Sequence, residues 1–260
     1  MLSVRRLFGF LLFFTLCLPC IAETQSIAQK TAGLQQLDGF FPVSWDAKAG
    51  KLYLEIDAFG KDFLFLDSLP YGVGSNDLGL DRGQLGKGRV VRFYRSGPKV
   101  LLIERNLDYR SSSPHAEEQL DVAQSFAESV LWGFKVEAED GDKVLIDATD
   151  FFLHDAHGVA ERLQAAEQGS YHLDTARSAI SMESTKNFPL NTEVESVLTF
   201  AVDDISKAAL VASVTPDAHA VTVHEHYSFI QLPDDGYKTR AFDPRSGYFD
   251  INYQIGRAHV

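Results

Sequence analysis

The sequence predicts an α+β fold, mostly antiparallel β-sheet with two or three helices. Three observations support this class. Short runs alternate between apolar and polar residues, as in Lys51–Ile56 and residues 89–95. Tight turns separate these runs, as at residues 96–98 and 140–142. Helical periodicity is confined to two segments. Short strands joined by tight turns are typical of an antiparallel sheet.

The first 22 residues have the layout of a secretory signal peptide. Arg5 and Arg6 precede an apolar run over residues 7–18, and small residues stand three before and one before a cut after Ala22. The apolar run is shorter than the roughly 20 residues that a membrane span needs. We therefore expect an exported protein, periplasmic or extracellular, with no membrane span after cleavage. Residues 23–37 lack an apolar stripe and are predicted to be a flexible lead-in.

Composition restricts the possible partners and cofactors. The chain has 260 residues and a net charge of −12, and loss of Arg5 and Arg6 with the signal leaves −14. Strong negative charge argues against nucleic acid as a partner. Cys17 and Cys20, the two cysteines, both lie in the signal, so the mature chain has neither disulfides nor thiolate zinc ligands.

Strands and helices follow in a mixed order. Strands are predicted at residues 40–45, 51–56, 62–67, 89–95, 99–104, 134–138, 143–146, 192–200 and 220–232. The sequence Asp140-Gly141-Asp142 predicts a hairpin. One helix is predicted from the N-cap Ser113 to the terminating Gly133, with Leu120, Val130 and Leu131 in its apolar stripe. A second is predicted over residues 156–168.

Residues 71–88 are rich in glycine but match no nucleotide-binding motif. Asp81 stands where a phosphate loop needs its first glycine, and Gly88 where it needs Ser or Thr. We interpret the segment as a tightly turned loop. Asn76, Asp77 and Asp81 carry calcium-type oxygens, but their spacing does not match an EF-hand.

Two histidine pairs are the remaining candidates for chemistry. His154 and His157 could share a helical face, but Asp155 between them favours a helix cap. His224 and His226 would point to one face of a strand with Thr222 and Ser228. Two such imidazoles can chelate zinc or iron, but no third ligand is identifiable, so we favour a polar, solvent-facing strand side. We predict no catalytic, cofactor-binding or metal-binding residue in this chain.

Several segments together resemble one family. They are residues 40–46 (FFPVSWD), 74–84 (GSNDLGLDRGQ), 129–134 (SVLWGF), 147–152 (DATDFF), 188–195 (FPLNTEVE), 232–237 (LPDDGY) and 242–249 (FDPRSGYF). This pattern is similar to the N-terminal region of exported bacterial zinc-dependent metalloproteases of the met-zincin type, which carry DUF5118 and DUF5117 domains. It covers residues 38–254, of which 38–70 could be a small DUF5118-like part.

The resemblance implies a catalytic domain with the motif H-E-x-x-H-x-x-G-x-x-H, in which three histidines bind zinc. That motif is absent here, so the zinc and the peptide substrate belong to a domain outside this chain. We expect this chain to be a non-catalytic accessory region that packs on that domain. The alternative is a stand-alone exported binding module. Residues 255–260 fit neither the strand pattern nor the family, and we expect them to be a non-native tail.

Overall fold

The computed structural model describes residues 25–234, 236, 238, 243, 245 and 254–255. Five short helices and fifteen strands lie in this part of the chain. The helices are α1 (Ile27–Lys30), α2 (Ala116–Ser125), α3 (Thr149–Phe152), α4 (Val159–Ala165) and α5 (Ala209–Val214). The strands are β1 (Gln35–Leu37), β2 (Val43–Asp46), β3 (Lys51–Ile56), β4 (Asp62–Tyr71), β5 (Gln84–Leu85), β6 (Arg89–Ser96), β7 (Lys99–Glu104), β8 (Tyr109–Arg110), β9 (Ser129–Asp140), β10 (Lys143–Asp147), β11 (His172–Leu173), β12 (Ala179–Phe188), β13 (Asn191–Ala201), β14 (Ala220–Gln231) and β15 (Gln254–Ile255).

Thirteen strands form one sheet in which every described pairing is antiparallel. Its order is β1-β2-β3-β10-β9-β7-β6-β4-β14-β13-β11, with β12 beside β13 and β5 beside β4. The remaining two strands, β8 and β15, pair in parallel. The predicted fold class is therefore confirmed, although the described helices are shorter and more numerous than expected. No helix of the described residues is long and apolar enough to cross a membrane.

The sheet curves around a core of aromatic side chains. Six strands separate β2 from β14 in the sheet order. On a flat sheet this separation would be roughly 34 Å at about 4.8 Å per strand. Phe41, just before β2, nevertheless has its ring centroid 6.0 Å from that of Phe229 on β14. Both rings pack with Phe63 and Phe93, and Phe229 also packs with Phe151, in the larger core cluster.

A contact between the two ends of the sheet closes this curve. The backbone N–H of Phe40 donates to the carbonyl of Phe188 at the end of β12. The side-chain amide of Asn187 donates to the carbonyls of both Leu37 and Phe41, each at 2.8 Å. Thr192 on β13 accepts from the backbone N–H of Phe41. The connection between β1 and β2 is thus fixed to the β12–β13 hairpin.

Two predictions about local structure were wrong. The predicted helix from Ser113 to Gly133 stops at Ser125, and its N-cap is His115. Residues from Ser129 onward form β9, where Val130 and Trp132 pair with β7. This β-branched and aromatic run fits a sheet better than a helix, and Leu120 of the predicted stripe is 56% exposed. The predicted lead-in also contains order, because α1 and β1 lie within it and β1 pairs with β2.

Other predictions from the sequence agree with the structure. β3 and β7 have the predicted bounds, and β6, β10, β13 and β14 lie within two residues of theirs. The hairpin at residues 140–142 is confirmed, with Gly141 at φ 61° and Lys143 paired to Asp140. The second helix is present as α4, shorter than expected. The signal peptide and residues 256–260 lie outside the described residues.

Candidate functional site

Polar side chains gather in two places on β14, one on each face of the sheet. Glu225 points inward and is fully buried, whereas His224 and His226 point outward. The predicted alternation of this strand is confirmed: Val221, Val223, Tyr227 and Phe229 are buried on the same face as Glu225. The inward group is called here the buried polar network and consists of Asp67, Gln84, Arg89, Asp155, His157 and Glu225. The outward group, the His–Glu cluster, consists of Glu193, Glu195, His224, His226 and Ser228.

Asp67 on β4 is the centre of one half of the buried polar network. Its Oδ2 lies 2.8 Å from Nδ1 of His157, and its Oδ1 accepts from Arg89 at 2.9 Å. The side chains of Asp67 and His157 are 1% and 0% exposed. Burial raises the pKa of Asp67, but hydrogen bonds from His157 and Arg89, aided by their charge, outweigh it and hold the pKa below its usual value.

The glycine-rich segment packs directly against this half of the network. Gln84, on β5, places its side-chain oxygen 3.1 Å from Nε2 of His157. The N–H of Gly86 donates to the carbonyl of Asp67, and a Cβ at Gly86 would lie 1.9 Å from Oδ2 of Asp67. Glycine is therefore required at Gly86 by the close approach to a buried carboxylate. The glycine-rich segment therefore packs against buried side chains, in agreement with its interpretation as a tightly turned loop.

Glu225 forms the other half of the network. Its Oε2 accepts from the backbone N–H groups of Ala156 and His157 at 3.0 and 3.3 Å, and from the hydroxyl of Tyr227 at 3.2 Å. Burial, with the charge and hydrogen bond of Asp155 as further causes, raises the pKa of Glu225 to about 9. A carboxyl group with this pKa is protonated at neutral pH.

The segment around Asp155 holds this network in place. Asp155 accepts from the N–H groups of Val159 and Ala160 at 2.7 and 2.9 Å, so the predicted cap of the second helix is confirmed. His154 and His157 do not converge. The ring of His154 packs on Trp132, and burial lowers its pKa, whereas the ring of His157 faces Asp67.

The His–Glu cluster lies across β13 and β14. Nδ1 of His224 is 2.9 Å from Oε1 of Glu195, and Nε2 of His226 is 2.8 Å from Oε2 of Glu193. The hydroxyl of Ser228 donates to the same Glu193 oxygen at 2.5 Å. The hydrogen bond and charge of Glu193 raise the pKa of His226 against the opposing effect of burial. Each histidine is thus hydrogen-bonded to a glutamate on the neighbouring strand.

Irregular strand pairing surrounds the His–Glu cluster on both sides. The register between β12 and β13 shifts between Ser181 and Lys186, opposite Glu193 and Glu195. The register between β14 and β4 shifts between His224 and His226. Such bulges increase local twist and re-aim side chains. Here both register shifts lie beside the residues whose side chains pair β13 with β14.

The candidate calcium ligands lie at the surface in the glycine-rich segment. Asn76, Asp77 and Asp81 are exposed, the first two within a 3-10 turn over Asn76–Leu78. Within the described residues, no group of three or more His, Cys, Asp or Glu side chains is arranged to hold a metal ion. The absence of zinc in the protein itself stays a prediction.

Comparison with known proteins assigns the chain to a family. DUF5117, described as a domain of unknown function, matches residues 83–255, so the chain belongs to this family. The match includes Ile255, the first residue of the predicted tail. No curated protein matches the chain, and no solved structure matches it.

Sequence reasoning missed several members of both polar groups. Asp67 and Arg89 lie on different strands, and nothing in their spacing indicates that they meet. Glu193 and Glu195 carried a signal, since they alternate on β13 as His224 and His226 do on β14. Alternating glutamates on one strand and alternating histidines on another predict cross-strand pairs only when the two strands are known to be neighbours.

Proposed function

We propose that this chain is the non-catalytic N-terminal portion of an exported zinc-dependent metallopeptidase. Membership of the DUF5117 family carries the proposal, together with the resemblance of residues 38–254 to the N-terminal region of such enzymes. In this proposal the zinc and the peptide substrate belong to a catalytic domain outside the chain. The chain's own partner is that catalytic domain.

The two polar groups support a structural role. The carboxyl and imidazole groups at the centre of the buried polar network are closed to a substrate, since the side chains of Asp67, His157 and Glu225 are almost completely buried. The His–Glu cluster is accessible, but its imidazoles are hydrogen-bonded to Glu193 and Glu195. In the His–Glu cluster the hydroxyl of Ser228 donates to the Glu193 oxygen that His226 also contacts, so this hydroxyl meets a carboxylate and not an imidazole base.

The outward face of the sheet supports a role in packing on another domain. Aliphatic side chains lie on this face across β4, β6, β7 and β14, opposite the core-facing ones. They are Leu64, Leu66, Val90, Leu101, Ile103 and Ile230, all partly exposed. An antiparallel sheet with one solvated face usually has polar residues there, so apolar residues on both faces favour a covered sheet.

The direct test is to read the genomic locus beyond codon 260 and to analyse the exported protein by mass spectrometry. The proposal expects one polypeptide that contains both this sequence and an H-E-x-x-H motif, with a mature N-terminus at Glu23. A genuine stop codon after Val260, with no such polypeptide, would contradict it and favour the stand-alone binding module. Peptide hydrolysis by the purified 260-residue chain, abolished by a chelator, would also contradict it.

A further inference from the structure

The turn over residues 153–158, between α3 and α4, is attached to β14 through a buried carboxyl group and a neighbouring hydroxyl. Oε2 of Glu225 accepts from the N–H groups of Ala156 and His157. The hydroxyl of Tyr227 donates to the carbonyl of His154 at 2.7 Å and to the same Glu225 oxygen. Both β14 side chains are buried. Glu225 and Tyr227 thus supply the polar contacts between this turn and β14.

The other oxygen of Glu225 indicates which form of the carboxyl is present. Oε1 is buried and accepts no hydrogen bond from any residue in the described part of the chain. Its neighbour Asp155 already accepts two backbone N–H groups through its two oxygens. Two adjacent carboxylates in a buried site destabilise each other strongly. A proton on Glu225 removes one charge and supplies an O–H donor toward Asp155.

The other charged and titratable groups around Glu225 do not neutralise it. On the turn, the ring of His157 faces Asp67 and Gln84, and that of His154 packs on Trp132. On the sheet, Tyr227 is itself held neutral, because burial raises its pKa well above the usual value. Asp67 on β4 is held by Arg89 of β6, whose guanidinium faces Asp67 and Glu104.

We propose that Glu225 holds a proton that latches residues 153–158 onto the sheet, and that this turn opens with release of the proton. Opening exposes Glu225 to water, where the carboxylate is the stable form at neutral pH. Because His157 moves with the turn, opening also removes a partner from Asp67 and from Gln84. The latch therefore couples one buried proton to the order of the turn and of the glycine-rich segment.

The pH dependence has a defined sign and window. The pKa of Glu225 is about 9 with the turn closed, against an ordinary value of 4.5. The open state binds fewer protons between these values, so opening becomes more favourable as the pH rises. The opening equilibrium should increase by up to about tenfold per pH unit, or about 100-fold between pH 6 and pH 8, and should level off above pH 9.

Hydrogen exchange of the whole 260-residue chain, expressed as protection factors corrected for the intrinsic rate at each pH, tests the latch. In the native sequence, protection of amides 154–160 should fall about 100-fold from pH 6 to pH 8. Amides of β7, remote from Glu225, should show little change. In Glu225→Gln, whose amide can still accept from Ala156 and His157 and donate to Asp155, protection of 154–160 should be independent of pH.

The control is Glu183→Gln, which alters an exposed glutamate on β12 and should keep the native pH response. If Glu225→Gln does not fold, the native series alone decides. Native protection at 154–160 that is flat from pH 6 to pH 8, or that falls equally in β7, would overturn the latch. So would an unchanged pH response in a folded Glu225→Gln protein.

Discussion

Nδ1 of His157 lies 2.8 Å from Oδ2 of Asp67, and the two side chains are almost completely excluded from solvent. Ninety residues separate this pair in sequence, and it joins the turn after α3 to the centre of β4. Arg89 contacts the other oxygen of Asp67, so one buried carboxylate has two cationic or donor partners. Such a group stabilises the fold only while both partners are present.

The first prediction concerns the charge of Asp67. Asp67→Asn should lower the free energy of unfolding by about 1–3 kcal/mol at pH 7, because the variant retains the shape and loses the charged hydrogen bonds. The pKa of Asp67 is lowered in the fold, so its contribution is present above the usual value of 3.8 and is lost as the pH falls through the folded pKa.

Urea unfolding of Asp67→Asn at pH 7, 5, 3.5 and 2.5 measures this difference. The deficit should be full at pH 7 and 5 and should shrink as the pH falls below 3.8. Asp77→Asn, on an exposed turn, is the matched control and should lie within about 0.5 kcal/mol of the native protein. A deficit that is the same at every pH would show that the charge is not the cause.

The second prediction concerns the pair His226 and Glu193. The pKa of His226 should lie above 6.5 in the native protein and fall in Glu193→Gln, because the hydrogen bond and charge of Glu193 raise it. Imidazole proton shifts in NMR follow this titration directly, with the exposed His172 as internal reference. An identical His226 titration in both proteins would rule out the ion pair.

The stability contributed by the His226–Glu193 pair should depend on pH in the direction opposite to that contributed by Asp67. A raised histidine pKa contributes stability that is present below the unfolded pKa and lost as the pH rises through the folded pKa. The destabilisation by Glu193→Gln should therefore be greater at pH 6 than at pH 9. The difference should be below about 1 kcal/mol, because the pair is partly solvated.

The third prediction concerns Gly86. Gly86→Ala should destabilise the protein by more than about 2 kcal/mol, because the new Cβ would lie 1.9 Å from Oδ2 of Asp67 and must displace that buried carboxylate. Gly133→Ala on β9 is the control, since its Cβ would meet Leu101 at an ordinary 3.5 Å. Thermal unfolding of both variants separates them. Equal destabilisation of the two variants would mean that position 86 can accommodate a Cβ beside Asp67.

The sequence predicted strands well where alternation and turn residues agreed. β3, β7 and the β9–β10 hairpin are such cases, because local pattern and tertiary packing favour the same structure. It failed at residues 126–132, where an apparent helical stripe competed with pairing to β7. It also missed β12, whose register shift between Ser181 and Lys186 disrupts the period-two pattern.

The polar groups were less predictable than the strands. His224 and His226 were placed on one face correctly, because a strand has a fixed period. Their partners depend on β13 lying beside β14, and the contact of His157 with Asp67 depends on sheet order. A single sequence carries no direct record of sheet order, so the buried polar network could be found only in the folded chain.

The fourth prediction concerns the closure of the sheet by Asn187. Its amide nitrogen donates to the carbonyls of Leu37 and Phe41, and its oxygen accepts from the hydroxyl of Thr192. Asn187→Ala should lower the free energy of unfolding by about 1–3 kcal/mol, because two carbonyls lose this donor. Asn187→Asp should cost more, because a carboxylate oxygen would replace the donor and face those carbonyls.

Which of these two variants loses more unfolding free energy shows whether Asn187 acts as a hydrogen-bond donor or only fills space. If Asn187 only filled space, the isosteric aspartate would be tolerated better than alanine. Asn106→Ala, which removes one exposed contact to the carbonyl of Ala127, is the control and should cost below about 1 kcal/mol. Hydrogen exchange should locate the effect at residues 38–41 and 187–192, since these segments join the two ends of the sheet. Loss of protection spread evenly over all strands would instead mean that closure and the rest of the sheet unfold as one unit.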